Sequence, residues 1–193
     1  AVSNVFIQTN INSFGTDVVA GWTAYGKIDS LFWMVMDAFG ISITTFTGQN
    51  IGARKLDRVR QGIRTCSLMA FGFSFALSGL LFVFGDQIVR LFNSDAGVVA
   101  AAGEMMRCAY PYFFTYVLIC VLGVAMRGAG DSLKPMLMVA GGICLFRIVW
   151  IQWVLPLFSG IEGVFILYPV SWALGAGLMI LYAWKGKWME YHA

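Results

Sequence analysis

The chain has 193 residues, 59% of them apolar and 12% charged, with a net charge of +3 and a mean hydropathy of +0.76. Soluble domains carry about 45–50% apolar and about 25% charged residues, so this composition excludes a water-soluble domain that hides its apolar surface in a core. The apolar residues form long uniform blocks between short charged stretches, the pattern of transmembrane helices and not of the roughly ten-residue alternating strands of a membrane β-barrel.

The expected fold is therefore all-α, a polytopic membrane helical bundle of about six transmembrane helices solvated by the lipid bilayer. The first block, Ala1 to about Phe14, is too short to cross roughly 30 Å of hydrocarbon and reads as the far part of a helix. No positively charged stretch leads a short apolar core, so no signal peptide is expected. A turn around Ser13–Asp17 leads to a second span, about Val18 to Thr47, unusually long and carrying Lys27, Asp29 and Asp37. The third span covers about Gly62 to Phe84. A longer connector, Asp86 to Ala100, follows, in which Asn93, Ser94 and Asp95 offer helix caps. The fourth span covers about Ala101 to Met126 with Pro111 inside, where a kink is expected. The fifth runs from about Pro135 to Leu157 and the sixth from about Gly163 to Trp184. The other connectors are short, so sequential helices should be antiparallel neighbours.

Charge placement sets the orientation. Arg54, Lys55, Arg58, Arg60 and Arg64, then Arg127 and Lys134, then Lys185 and Lys187 all fall at one end of the alternating spans. The opposite connectors hold Asp17, Asp86, Asp95 and Glu162, with Arg90 as their cation. The positive-inside rule then makes the 54–64 loop and the C-terminus cytoplasmic in a multi-pass cell-membrane protein. The basic run lacks interleaved aromatics and is wedged between two spans, which excludes a nucleic-acid patch. Cys66, Cys108, Cys120 and Cys144 lie in apolar blocks without CxxC spacing and read as small buried hydrophobes, so no metal site is expected.

Ionisable residues at membrane depth mark function or pairing, because lipid penalises them by about 2.5–3.5 kcal/mol or more. Lys27, Asp29 and Arg147 are expected to pair structurally, with Asp37 either joining Arg147 or facing a cavity. On a cavity wall, Asp37 would attract a cation or accept a proton. Tyr25 and Met34 share its span and offer adaptable apolar surface. Gln8 and Asn12 lie four apart on one helical face, with Asn10 nearby, and polar faces in lipid must look inward. These three are also cavity candidates.

Two short motifs end helices on the basic side. In Gly48-Gln49-Asn50-Ile51-Gly52-Ala53-Arg54, the amides of Gln49 and Asn50 can bond freed carbonyls and Gly52 permits a left-handed turn. In Arg127-Gly128-Ala129-Gly130-Asp131-Ser132-Leu133-Lys134-Pro135, Gly128 and Gly130 allow tight geometry, Asp131 or Ser132 can cap, and Pro135 suits a first helical turn. No strand precedes these glycines and no GK[ST] follows, so they are not a phosphate cradle.

With Asn12-Ser13-Phe14-Gly15-Thr16 and Tyr168-Pro169-Val170-Ser171-Trp172, these motifs resemble the multidrug and toxic compound extrusion (MATE) transporters over nearly the whole chain. The resemblance implies that residues 1–193 are one transmembrane domain, the C-terminal six-helix lobe of a two-lobe protein, partnered by a missing N-terminal lobe. It implies efflux of small organic cations by Na⁺ or H⁺ antiport with alternating access, and no bound cofactor. It also places coupling acids in helices seven and ten, where the first block offers only amides and the fourth span only Glu104 near its outer end. A lipid or polysaccharide flippase of related two-lobe architecture is the nearest alternative, and it would need cavity cations such as Arg147 to hold phosphates. An intramembrane enzyme is disfavoured, since the single histidine is His192, the penultimate residue.

Overall fold

The computed structural model describes residues 11, 15–158, 162–185 and 188. Five helices organise them: α1 (Thr16–Gly52), α2 (Leu56–Arg90), α3 (Ala96–Gly128), α4 (Leu133–Leu157) and α5 (Glu162–Lys185). Each is long and apolar enough to cross a membrane, the last over Ile166–Lys185. The described residues contain no strand, so the all-α polytopic bundle holds. Of the first expected block only Ile11 is described; it is helical, fully buried and packed with Leu155, Val164 and Leu167. The remainder of that block lies outside the described residues.

α1 and α2 run 37 and 35 residues, each more than about 50 Å against roughly 30 Å of hydrocarbon. Apolar blocks delimit only the hydrocarbon, and both helices continue through the interface on charged residues. The connector expected over Asp86 to Ala100 accordingly shrinks to the residues between Arg90 and Ala96. Asp95 caps α3 as expected: its carboxylate accepts from the N–H groups of Gly97 (2.8 Å) and Val98 (3.3 Å).

Pro111 sits in a single 3₁₀ turn, Tyr110–Tyr112, that joins the two α-helical segments of α3. Proline removes the N–H that would reach the carbonyl four residues earlier, and beside it the Ser78 hydroxyl donates to the Tyr110 carbonyl at 2.9 Å. α4 is irregular in a way apolar periodicity does not reveal. Wide π-helical turns occupy Ala140–Leu145 and Trp150–Val154, flanking Arg147.

The basic ends of α1 and α3 close alike. Lys55 and Arg54 donate to the Asn50 and Ile51 carbonyls, and Asp131 and Gly130 donate to the Met126 and Arg127 carbonyls. Both are Schellman closures. Gly130 takes the left-handed position in the second (φ 91°), as the motif led one to expect. In the first, that position belongs to Arg54 (φ 56°) and not to Gly52, which remains helical. The helix runs two residues further than the glycine suggests because Asn50 is buried and its amide holds the Phe46 carbonyl at 2.8 Å. Asp131 does not cap either: it is buried, accepts from the Tyr182 hydroxyl and pairs with Lys134 at 3.7 Å, while Ser132 precedes α4 with no side-chain cap.

α3 is the axis of the bundle and packs against α1, α2 and α5, while α4 sits at the edge against α5 and the end of α3. Close approach fixes the α1–α3 contact. A Cβ at Gly128 would stand 2.5 Å from the Thr44 carbonyl oxygen, and one at Gly21 would stand 2.9 Å from Ala101. The Thr44–Gly128 and Tyr182–Asp131 contacts gather the ends of α1, α3 and α5 at the basic end. The Asp17–Gly97 and Trp150–Gly163 contacts gather the opposite ends. Strict alternation is thus realised in three dimensions.

Candidate functional site

α1 carries two carboxylates in different surroundings. Asp37 is exposed on an open groove of about 850 Å³ between α1, α3 and α4. The α1 wall adds Gly40 and Thr44, the α3 wall Tyr116 and Cys120, and the α4 wall Val139 and Ile143. Thr44 spends its hydroxyl on the Gly40 (2.8 Å) and Val124 (3.1 Å) carbonyls, and the Cys120 thiol donates to the Met36 carbonyl at 3.6 Å. Arg127 lines the basic end of the same groove. No cation lies within ion-pair distance of Asp37 among the described residues.

Asp29 lies two turns away, half-buried beside a closed ring of aromatic contacts. Trp22 meets Tyr25 (5.6 Å between centroids), Tyr25 meets Tyr110 (5.8 Å), and Tyr110 meets Phe113 (4.7 Å). Phe113 meets Trp172 (5.4 Å), Trp172 meets Tyr168 (5.6 Å), and Tyr168 returns to Trp22 (6.3 Å). Asp29 is within electrostatic range of Tyr25, Tyr110 and Tyr168. One carboxylate oxygen accepts from the Trp33 indole N–H. The other is buried without a hydrogen-bond partner, and so is the Tyr110 hydroxyl. Two orphaned polar atoms inside an apolar bundle are costly, and sites of that kind hold a proton, an ion or water.

The pairing expected of the buried charges does not form. Arg147 is buried, donates its Nε–H to the Ser171 hydroxyl at 3.0 Å and lies 4.5 Å over the Tyr168 ring, with no carboxylate in ion-pair range among the described residues. Its turn of α4 faces α5, so it reaches neither Asp37 nor Asp29. Lys27 is exposed and has no ion pair among the described residues, placed where it can snorkel. Tyr25 belongs to the aromatic ring and not to the Asp37 groove, and Met34 is 65% exposed and lines neither. Gln8, Asn10 and Asn12 lie outside the described residues. Gln49 is exposed, Asn50 and Asp131 are buried, and Gly128 sits on Thr44.

Sequence reasoning missed Tyr110, Phe113, Tyr168 and Trp172 as a group. A signal existed in their spacing, since Tyr25, Asp29 and Trp33 stand four apart, as do Tyr168 and Trp172, and Tyr110 and Phe113 stand three apart. Each set therefore shares one helical face.

The MatE family model matches residues 1–153. The chain belongs to the MatE family. It is 25% identical over 97% of its length to the Probable multidrug resistance protein YoeA of Bacillus subtilis, covering 41% of that protein. It is 23% identical over 97% of its length to the Probable multidrug resistance protein NorM of Thermotoga maritima, covering 42% of it. It is also 29% identical over 74% of its length to the NorM protein of Aromatoleum aromaticum, covering 31%. This MatE chain thus spans about two fifths of the length of the first two relatives.

Proposed function

We propose that this chain is the C-terminal lobe of a two-lobe secondary transporter that exports small organic cations in exchange for Na⁺ or H⁺ by alternating access, with an N-terminal lobe as its partner. The observation that carries this reading is Asp37: an uncompensated carboxylate on an apolar groove within the membrane-spanning part of a MatE chain. An amphipathic cation matches such a wall twice, by charge at Asp37 and by apolar contact at the Tyr116 ring and the Ile143 side chain. Arg127 keeps the groove's basic end positive, so a bound cation is held at mid-span, and that end faces the cytoplasm. The half-buried Asp29, with one oxygen sealed from solvent, is the coupling residue. Its orphaned oxygen takes the proton or Na⁺ that offsets the cost of a carboxylate in lipid. Arg147, the cation a flippase would use for phosphates, is occupied by Ser171 and Tyr168, which favours drug export over lipid flipping.

The test is transport by the full-length protein in inverted vesicles, with tetraphenylphosphonium as substrate and imposed Na⁺ or pH gradients. Asp37→Asn lowers cation transport roughly tenfold, corresponding to about 1.4 kcal/mol of lost attraction. Asp29→Asn leaves substrate binding intact but removes the dependence on the ion gradient. Wild-type transport in the Asp37→Asn protein would overturn the substrate assignment. Gradient-driven transport in Asp29→Asn would return Asp29 to a structural role.

A further inference from the structure

A second groove of about 460 Å³ runs between α1 and α2. On α1 it uses Phe39, Ile43 and Phe46, whereas the Asp37 groove uses Gly40, Ile41 and Thr44. At about 100° per residue these sets lie on opposite faces of the helix, so the second groove opens away from the first. Met69, 60% exposed, and Phe46, 37% exposed, leave its apolar floor uncovered.

Polar groups concentrate at one mouth. Arg58 and Gln61 line the groove within two turns of the start of α2, at the end of the bundle where Arg54 and Lys55 make the turn. Arg58 has no ion pair among the described residues, and the one acid in that turn, Asp57, is taken by Arg60 at 3.5 Å. From Arg58 to Met69 is eleven residues, about 16 Å along the helix axis, which matches the depth of one leaflet, half of roughly 30 Å. The groove therefore has a cationic, planar hydrogen-bond donor at headgroup level and an aromatic and thioether trough below it.

We propose that this groove is a binding site for one anionic diacyl phospholipid from the leaflet bordering the basic turns. Its phosphate sits on the Arg58 guanidinium beside Gln61, and one acyl chain lies along Phe39, Ile43 and Phe46. Guanidinium suits a phosphodiester because its fork donates two parallel hydrogen bonds. A charge that faces the membrane surface gains affinity for anionic lipid where a zwitterion gains none.

The experiment uses the full-length protein in nanodiscs, with trace phosphatidylglycerol or phosphatidylcholine bearing a photoactivatable acyl chain, and adducts mapped by peptide mass spectrometry. Phosphatidylglycerol adducts concentrate on residues 39–46 and 62–69, about fivefold above phosphatidylcholine, the preference one basic residue confers. Arg58→Gln removes that preference, whereas Arg64→Gln, the same charge loss on the far face of α2, leaves it. Ser42→Trp, which fills the trough at an exposed position, removes adducts of both lipids. Equal labelling by both lipids in wild type would reduce the groove to ordinary annular contact and overturn the proposal. So would an unchanged phosphatidylglycerol pattern in both Arg58→Gln and Ser42→Trp, or cross-links joining two copies of the chain there.

Discussion

Asp29 and Asp37 share one helix and one residue type, yet they occupy unlike environments. Asp37 stands on an open wall and is exposed, while Asp29 is half-buried with one oxygen sealed from solvent. Eight residues advance a helix by a little over two turns, about 80° round its axis, enough to move a side chain from the groove to the α3–α5 contact. An acid at membrane depth is costly in lipid, so under the function proposed above Asp29 is the acid whose protonation or ion occupancy couples to conformation. The open acid changes what approaches without changing how the helices pack.

That contrast predicts where substitutions unfold the protein and where they only alter transport. The largest loss falls on the wall of the enclosed site. Phe32 is fully buried and meets Phe113 at 4.3 Å and Trp33 at 5.5 Å between centroids. Phe32→Ala leaves a cavity among rings that cannot collapse into it, costing about 3–5 kcal/mol. Thermal denaturation of the detergent-solubilised protein should show it, with folded yield falling in parallel. A variant of wild-type stability would mean that the ring is loosely packed and that the Asp29 site is open.

Next comes the close α1–α3 contact at the basic end. At Gly128 an added methyl group meets the Thr44 carbonyl, which belongs to the helix backbone and cannot move aside cheaply. Gly128→Ala therefore destabilises by about 1–3 kcal/mol, whereas Gly52→Ala, where nothing lies within 4 Å, is neutral or slightly stabilising. The pair separates the two glycine motifs, which look equivalent on paper: one glycine is there for space, and the other is an ordinary helical position.

How far the sequence alone could go follows from the same examples. The alternating charges and apolar blocks fixed the number of described spans and their common basic end, because lipid imposes both on composition directly. The Gly130 turn was legible because only glycine takes φ of 91° freely, while the Arg54 turn was not, since a buried Asn50 overrides the local preference. Asp37 was recognisable as a charge out of place. Its separation from Arg147 was not, because two π-helical stretches rotate α4 in a way that no count at 3.6 residues per turn anticipates. The aromatic ring needs residues from α1, α3 and α5 together, and a face read on one helix does not say which other faces it meets.

A smaller effect is expected at the basic end. Asp131 is 3% exposed and is held by the Tyr182 hydroxyl and Lys134. Tyr182→Phe withdraws a donor from a buried carboxylate and costs about 1–2 kcal/mol. Lys134→Met has less to remove, since that side chain is partly exposed and its attraction is screened by solvent. If the two substitutions cost the same, the ion pair within the α3–α4 turn matters as much as the tyrosine hydroxyl that ties α5 to it.

The smallest effect on stability, and the sharpest on function, belongs to Asp37. Its side chain has no hydrogen-bond or ion-pair partner among the described residues, so Asp37→Asn should shift unfolding by no more than about 0.5 kcal/mol. The same substitution removes the groove's mid-span negative charge while leaving Tyr116, Val139 and Ile143 in place. A neutral amphipathic substrate then binds as before and a monovalent cation of similar size binds about tenfold more weakly, so the ratio of the two affinities isolates charge from shape. Asp37→Glu should restore cation binding in part, because the carboxylate returns displaced by one methylene. If asparagine instead weakens both ligands equally, Asp37 acts by holding the groove's shape, and the distinction drawn between the two acids of α1 disappears.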